Sequence, residues 1–141
     1  MHPTPTRALA LAVLGAAPAF AQGADDCASA QAITGTGDWN FLLFTATTDG
    51  LATPVCSAFN QDQIENDVWF AWTATSDGDV TLDTCDTSTV DTRVAIYDAV
   101  TCPAVTPITC NDDTCNLQSA VQWTANAGQT YLIRGGTYPG A

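Results

Sequence analysis

The sequence predicts an all-β fold, an antiparallel β-sandwich held by disulfides, and three observations carry that prediction. Apolar and polar residues alternate over several short stretches, the period of a strand with its two faces in different surroundings. Turn residues separate these stretches at close spacing, and no stretch shows helical periodicity. Six cysteines, an even set, are spread along a chain of 141 residues, a length that suits one domain. Hydrophobic residues make up 46% of the chain, enough to build a core.

The first segment stands apart from that core. Arg7, the short apolar run 8–17 and the triplet Ala19-Phe20-Ala21 form a secretory signal peptide over residues 1–21, with cleavage expected before Gln22. The apolar run is about half the ~20 residues a membrane-spanning helix needs. The sandwich domain is therefore expected over residues 22–141 of a secreted, extracellular protein.

Residues 22–32 read as a polar, small-residue lead-in pinned by Cys27. Residues 38–47 are rich in aromatic and apolar side chains and read as the first strand, blurred at Leu42-Leu43. A long connection over 48–65 calls for an anchor, which Cys56 supplies. In residues 67–73, Val68, Phe70 and Trp72 share one face, with Trp69, Ala71 and Thr73 on the other. Ser76-Asp77-Gly78-Asp79 has tight-turn chemistry, and Val80, Leu82 and Thr84 restart the alternation, so a hairpin is expected here. Residues 92–98 alternate again, with Val94 and Ile96 opposite Arg93, Ala95 and Tyr97. A short strand follows at 108–111, then a turn at Asp112-Asp113-Thr114. Residues 119–125 direct Val121 and Trp123 inward. A second hairpin turn at 126–129 leads to a last strand over 130–134.

Export to an oxidising compartment makes disulfides the expected state of Cys27, Cys56, Cys85, Cys102, Cys110 and Cys115. The absence of a Cys-x2-Cys pair, and of histidine after residue 2, argues against zinc. The sequence does not choose among the pairings. As an expectation we take Cys110 with Cys115 across a short loop, Cys27 with Cys56, and Cys85 with Cys102.

Acids outnumber bases by 15 to 3, for a formal net charge of −12. A phosphate backbone would be repelled by such a surface, which excludes nucleic acid, and anionic membranes are disfavoured for the same reason. Glu65 is the single glutamate; the other acids are aspartates, residues of turns and caps. Once the signal is removed the chain has neither histidine nor lysine, the commonest general bases. Ser-His-Asp and Cys-His arrangements are excluded by inventory, and no carboxylate pair is marked out for glycoside chemistry. The expectation is a protein that is not an enzyme.

Oxygen ligands cluster at Asn111-Asp112-Asp113, and Asp91 and Asp98 flank a strand that could lie beside that turn. Calcium takes oxygen ligands of this kind and is the candidate cofactor, while shaping and solvating the turn is the plainer role for these acids. Among the aromatic residues, Trp72 and Trp123 are expected in the core. Trp69, Trp39 and Tyr138 are the candidates for ligand contact at the surface. Arg93 and Arg134 should each pair with an aspartate, Arg134 with the Asp112-Asp113 turn.

Four blocks then carry a resemblance. Asn66-Asp67-Val68-Trp69-Phe70 with Thr73-Ala74, residues 91–98, Cys110-Asn111-Asp112-Asp113 and residues 127–134 occur in an order similar to the bacterial pre-peptidase C-terminal domain. They span about half of the exported chain, and the Asp26-Cys27 lead is similar to cysteine-rich secreted versions of that domain. The resemblance implies a jelly-roll-like sandwich acting as a non-catalytic accessory module, with calcium-dependent stability in some members. Extracellular protein, polysaccharide or matrix would be its partners. The family pattern continues past its Gly-Gly-x-Tyr segment with one more strand. An open edge is therefore expected beside residues 131–134, where a neighbouring chain could supply a strand. A structural subunit completed in that way, or a carbohydrate-binding module, are the alternative expectations.

Overall fold

The computed structural model describes residues 22–86 and 89–141. The signal peptide expected over residues 1–21 lies outside the described residues. Among the described residues seven strands form the fold: β1 Gln31–Thr34, β2 Glu65–Thr73, β3 Gly78–Asp83, β4 Thr92–Tyr97, β5 Thr109–Asn111, β6 Ala120–Ala125 and β7 Thr130–Thr137. Single 3-10 turns at Cys27–Ser29 and Pro54–Cys56 are the helical elements among the described residues. One sheet has five strands in the order β1-β2-β7-β4-β5, and the other has two, β3 and β6. Their neighbours run antiparallel, except that β1 lies parallel to β2. The protein is all-β, consistent with the expected sandwich.

Alternation along each strand sorts side chains into two cores. On the inner face Val68, Phe70 and Trp72 of β2 meet Val94 and Ile96 of β4, and Tyr131 and Ile133 of β7. Strand β6 closes this core with Val121, Trp123 and Ala125, and Trp72 meets Trp123 edge to face at 5.7 Å. Edge-to-face contact suits the ring quadrupoles. The outer face carries Trp69, Ala95, Tyr97 and Leu132, which pack with Ile64, Ala104, Cys27 and Cys56. Every residue of β4 is consequently buried. Full burial of one large apolar side chain is worth roughly 1.5–3 kcal/mol, so a strand packed on both faces contributes heavily.

Loops, rather than a third sheet, cover the outer face, and disulfides hold them there. Cys27 bridges Cys102 across 75 residues and Cys56 bridges Cys110 across 54. Cys85–Cys115 joins the loop after β3 to the turn before β6. None of the three expected pairings is present. Residues 112–118 close instead through backbone bonds, Cys115 N–H to the Gln118 carbonyl at 3.0 Å and Thr114 N–H to the same oxygen at 2.9 Å. Cysteines far apart in sequence meet because their loops lie on one sheet face.

The expected hairpin of residues 67–84 is also corrected. Strand β2 lies between β1 and β7, while β3 crosses to the other sheet and pairs with β6. The chain passes between layers into the start of β3, where Gly78 adopts a φ of +144°. A strand apolar on both faces belongs in the middle of a covered sheet. Strand β3 is apolar on one face, where Val80 and Leu82 pack down on the inner core. The turn at 126–129 likewise passes between sheets, from β6 to β7.

Residues 38–47 form no strand. They lie against the inner core through Trp39, Phe41, Leu43 and buried Ala46, without joining a ladder. Strand β1 forms in the segment expected to be a lead-in and its continuation. Period-two apolar spacing reports a covered face, which a loop lying across a core also has. Strand β7 is paired on both sides, by β2 and β4, so the open edge expected beside residues 131–134 does not exist. It also runs on through Gly135-Gly136 to Thr137. Glycine is required at 136, since a Cβ there would lie 2.5 Å from the Glu65 carbonyl oxygen.

Candidate functional site

Strands β4 and β5 pair antiparallel with Val94 opposite Asn111, so the start of one meets the end of the other. That register brings Asp91, just before β4, beside Asp112 and Asp113, just after β5. One carboxylate oxygen from each lies within 4.8 Å of the others. Asp112 is buried, Asp91 half-buried and Asp113 exposed.

Polar contacts shape this corner. The Asn111 side-chain oxygen accepts from Thr114 Oγ1 at 2.7 Å and from Ala120 N–H at 3.0 Å. The buried Ser119 hydroxyl lies 2.6 Å from the Thr92 and Asp112 carbonyl oxygens. Thr92 N–H donates to the Leu117 carbonyl at 2.8 Å, and Tyr138 N–H to the Asp91 carbonyl at 3.1 Å. Cys85–Cys115 fastens the same corner from outside.

Arg93, fully buried, supplies the opposing charge. Its Nη2 donates to Asp112 Oδ2 at 3.0 Å, and its Nη1 to the Gln63 and Gln61 carbonyls at 2.8 and 3.2 Å. The Tyr138 ring lies 4.8 Å from the guanidinium carbon. Burial pushes the Asp91 pKa up from its ordinary value, and the charges of Asp112 and Asp113 push it the same way against the pull of Arg93. Asp91 Oδ1 is buried and has no hydrogen-bond partner.

The structure thus unites Asp91, Asp112 and Asp113; of the other two expected ligands, Asn111 adjoins them and Asp98 is remote. Asn111 uses its side-chain oxygen inside the turn. Asp98 lies beyond the far end of β4, and with a rise of about 3.3 Å per residue a six-residue strand keeps it roughly 20 Å away. Three carboxylates with one opposing arginine leave excess negative charge, which favours a hard cation. Calcium takes about six to eight oxygens, so carbonyls or water would complete such a shell.

Arg134 does not reach the Asp112-Asp113 turn. It pairs with Asp67, both side chains being fully buried, and donates to the Leu51 and Ile64 carbonyls at 2.7 and 2.8 Å. Burial raises the Asp67 pKa, with Arg134 pulling against it. Trp69 is not at the surface either: it is 0% exposed, and its indole N–H donates to Asp49 Oδ1 at 2.6 Å. The loops that cover the outer face account for this correction. Trp39 is half-buried against the inner core, and Tyr138 is half-buried beside Arg93. Trp72 and Trp123 are in the core as expected. Sequence reading missed the role of both arginines in holding the 48–64 connection, although the alternation already placed Arg93 on the face of Ala95.

No family model, curated protein or solved structure matches the chain.

Proposed function

We propose that the chain is a secreted, non-catalytic binding module of an extracellular protein, steadied by calcium at Asp91, Asp112 and Asp113. The observation that carries this reading is the convergence of three carboxylates within 4.8 Å, brought together by the antiparallel pairing of the consecutive strands β4 and β5. One of them holds a buried oxygen without a partner, a costly arrangement unless something satisfies it. Support also comes from the three disulfides, which persist in oxidising compartments. Resemblance to the pre-peptidase C-terminal domain points the same way.

Thermal unfolding of the oxidised protein in EDTA and in 10 mM calcium tests the proposal. For a dissociation constant of about 10⁻⁴–10⁻³ M, binding to the native state alone adds roughly 1.4–2.7 kcal/mol. The rise in midpoint should vanish in Asp113→Asn, whose side chain is exposed and outside the Arg93 ion pair. An unchanged midpoint in calcium sinks the metal reading.

A second reading, a subunit completed by a neighbour's strand, rests on the small β3–β6 sheet that faces five strands. Sedimentation that depends on protein concentration would favour it. The carbohydrate-binding reading loses support with Trp69 buried.

A further inference from the structure

A cleft of about 350 Å³ opens beside the Cys27–Cys102 bridge, away from the acidic corner, with Asp26, Asp49, Trp69, Cys102, Pro103 and Ala104 among its walls. Its deeper walls, Cys27, Trp69 and Ala104, are buried and apolar. Asp26 and Asp49 are exposed at its mouth. We infer that this cleft receives an alkylammonium group, the chemistry of a lysine side chain or of a free aliphatic amine.

The Asp49 carboxylate is fixed before any ligand arrives. Its Oδ1 accepts from Trp69 Nε1 at 2.6 Å, its Oδ2 accepts from Cys27 N–H at 3.0 Å, and its own N–H donates to Asp67 Oδ1 at 3.0 Å. Each carboxylate oxygen keeps accepting capacity after one bond. The cysteine bridge holds two walls of the cleft together. A preorganised acceptor loses little freedom on binding. Arg134 lies behind the Trp69 wall, 5.4 Å from the ring, but its ion pair is with Asp67, and that of Arg93 is with Asp112.

Shape favours an organic cation over a metal. Among the described residues the acidic group compact enough for an ion is Asp91, Asp112 and Asp113, and neither Asp26 nor Asp49 belongs to it. Pockets for small ligands combine apolar walls with a few placed polar groups, over volumes from about 300 Å³ upward. An aliphatic arm would cover the apolar wall while its charged end stays at the acidic mouth.

The Trp69 indole N–H, bonded to Asp49, is a built-in reporter. Its assigned ¹H–¹⁵N signal would be followed in the oxidised protein, in EDTA so that no metal ion competes with the amine. The probes are 1,5-diaminopentane, the peptide acetyl-Gly-Lys-Gly-amide, and the same peptide with its lysine ε-acetylated. A saturable shift is expected with the amines and not with the acetylated peptide. Tighter binding of the peptide assigns the cleft to a protein lysine, and tighter binding of the diamine to a free amine. Asp26→Asn, which leaves the Asp49–Trp69 bond in place, should weaken binding at least severalfold. No saturable shift with either amine, an equal shift with the acetylated peptide, or unchanged binding in Asp26→Asn each overturns the inference.

Discussion

Arg93 and Arg134 project from neighbouring strands on the same face of the five-stranded sheet and grip the same residue. Arg93 Nη1 donates to the Gln63 backbone carbonyl at 2.8 Å, and Arg134 Nη2 donates to the Gln63 side-chain oxygen at 2.9 Å. The register that pairs Arg93 with Gly136 and Ala95 with Arg134 sets them two positions apart. Each guanidinium is neutralised by its own aspartate and spends its remaining donors on carbonyls of the long connection. A connection that joins neither sheet is thereby held down by two buried cations and by Cys56–Cys110.

Arg134→Met should destabilise the protein by about 3–5 kcal/mol, the cost of leaving a buried charge unpaired. Asp67 would keep no cation, and the Leu51 and Ile64 carbonyls would each lose a donor. Urea unfolding measures the loss. Adding Asp67→Leu to the same variant should recover part of it, because the orphaned carboxylate is gone. A further loss in the double variant would contradict this account.

The acidic corner should respond to pH in a definite direction. Asp91 has its pKa raised by burial and by neighbouring carboxylates, so the folded state favours its protonated form. Its contribution to stability is full below the ordinary carboxylate pKa of 3.8 and is lost as pH rises through the raised value. In EDTA, Asp91→Asn should therefore raise the melting midpoint at pH 7 and flatten the pH profile above the usual carboxylate range. In millimolar calcium the same substitution should lower the midpoint. An equal effect in both conditions would separate the carboxylate strain from any bound cation.

Replacing Cys56 and Cys110 together by alanine should cost about 2–5 kcal/mol, the usual loss for a native disulfide in a small domain. Mass mapping of a non-reducing digest checks the pairing itself. It should recover Cys27 linked to Cys102, Cys56 to Cys110 and Cys85 to Cys115.

Gly136→Ala should destabilise by about 1–3 kcal/mol, the range for forcing extra volume into a packed region. Its Cβ would crowd the Glu65 carbonyl and the Ile64 side chain at 2.5 and 2.6 Å. Gly135→Ala on the same strand, where a Cβ meets nothing within 4 Å, is the control. Chemical denaturation of both variants makes the comparison, and equal losses would count against the contact.

What was legible in the chain was local. The alternation in residues 67–73 set Val68, Phe70 and Trp72 apart from Trp69, and that in 92–98 set Val94 and Ile96 apart from Ala95 and Tyr97, as found. A strand's two faces follow from the period of its own backbone, which needs no distant partner. Asp112 and Asp113 were readable as a turn rich in carboxylates, and Asp91 as the acid before the adjoining strand. By itself, then, the sequence determined the all-β class, the sidedness of its strands and the chemical character of its turns. Tertiary structure alone decided that β3 pairs with β6, which cysteines meet, that Arg93 rather than Arg134 holds Asp112, and that Trp69 is roofed over. Those outcomes depend on which remote segments arrive at one place, and that is set by covering both faces of one sheet at once.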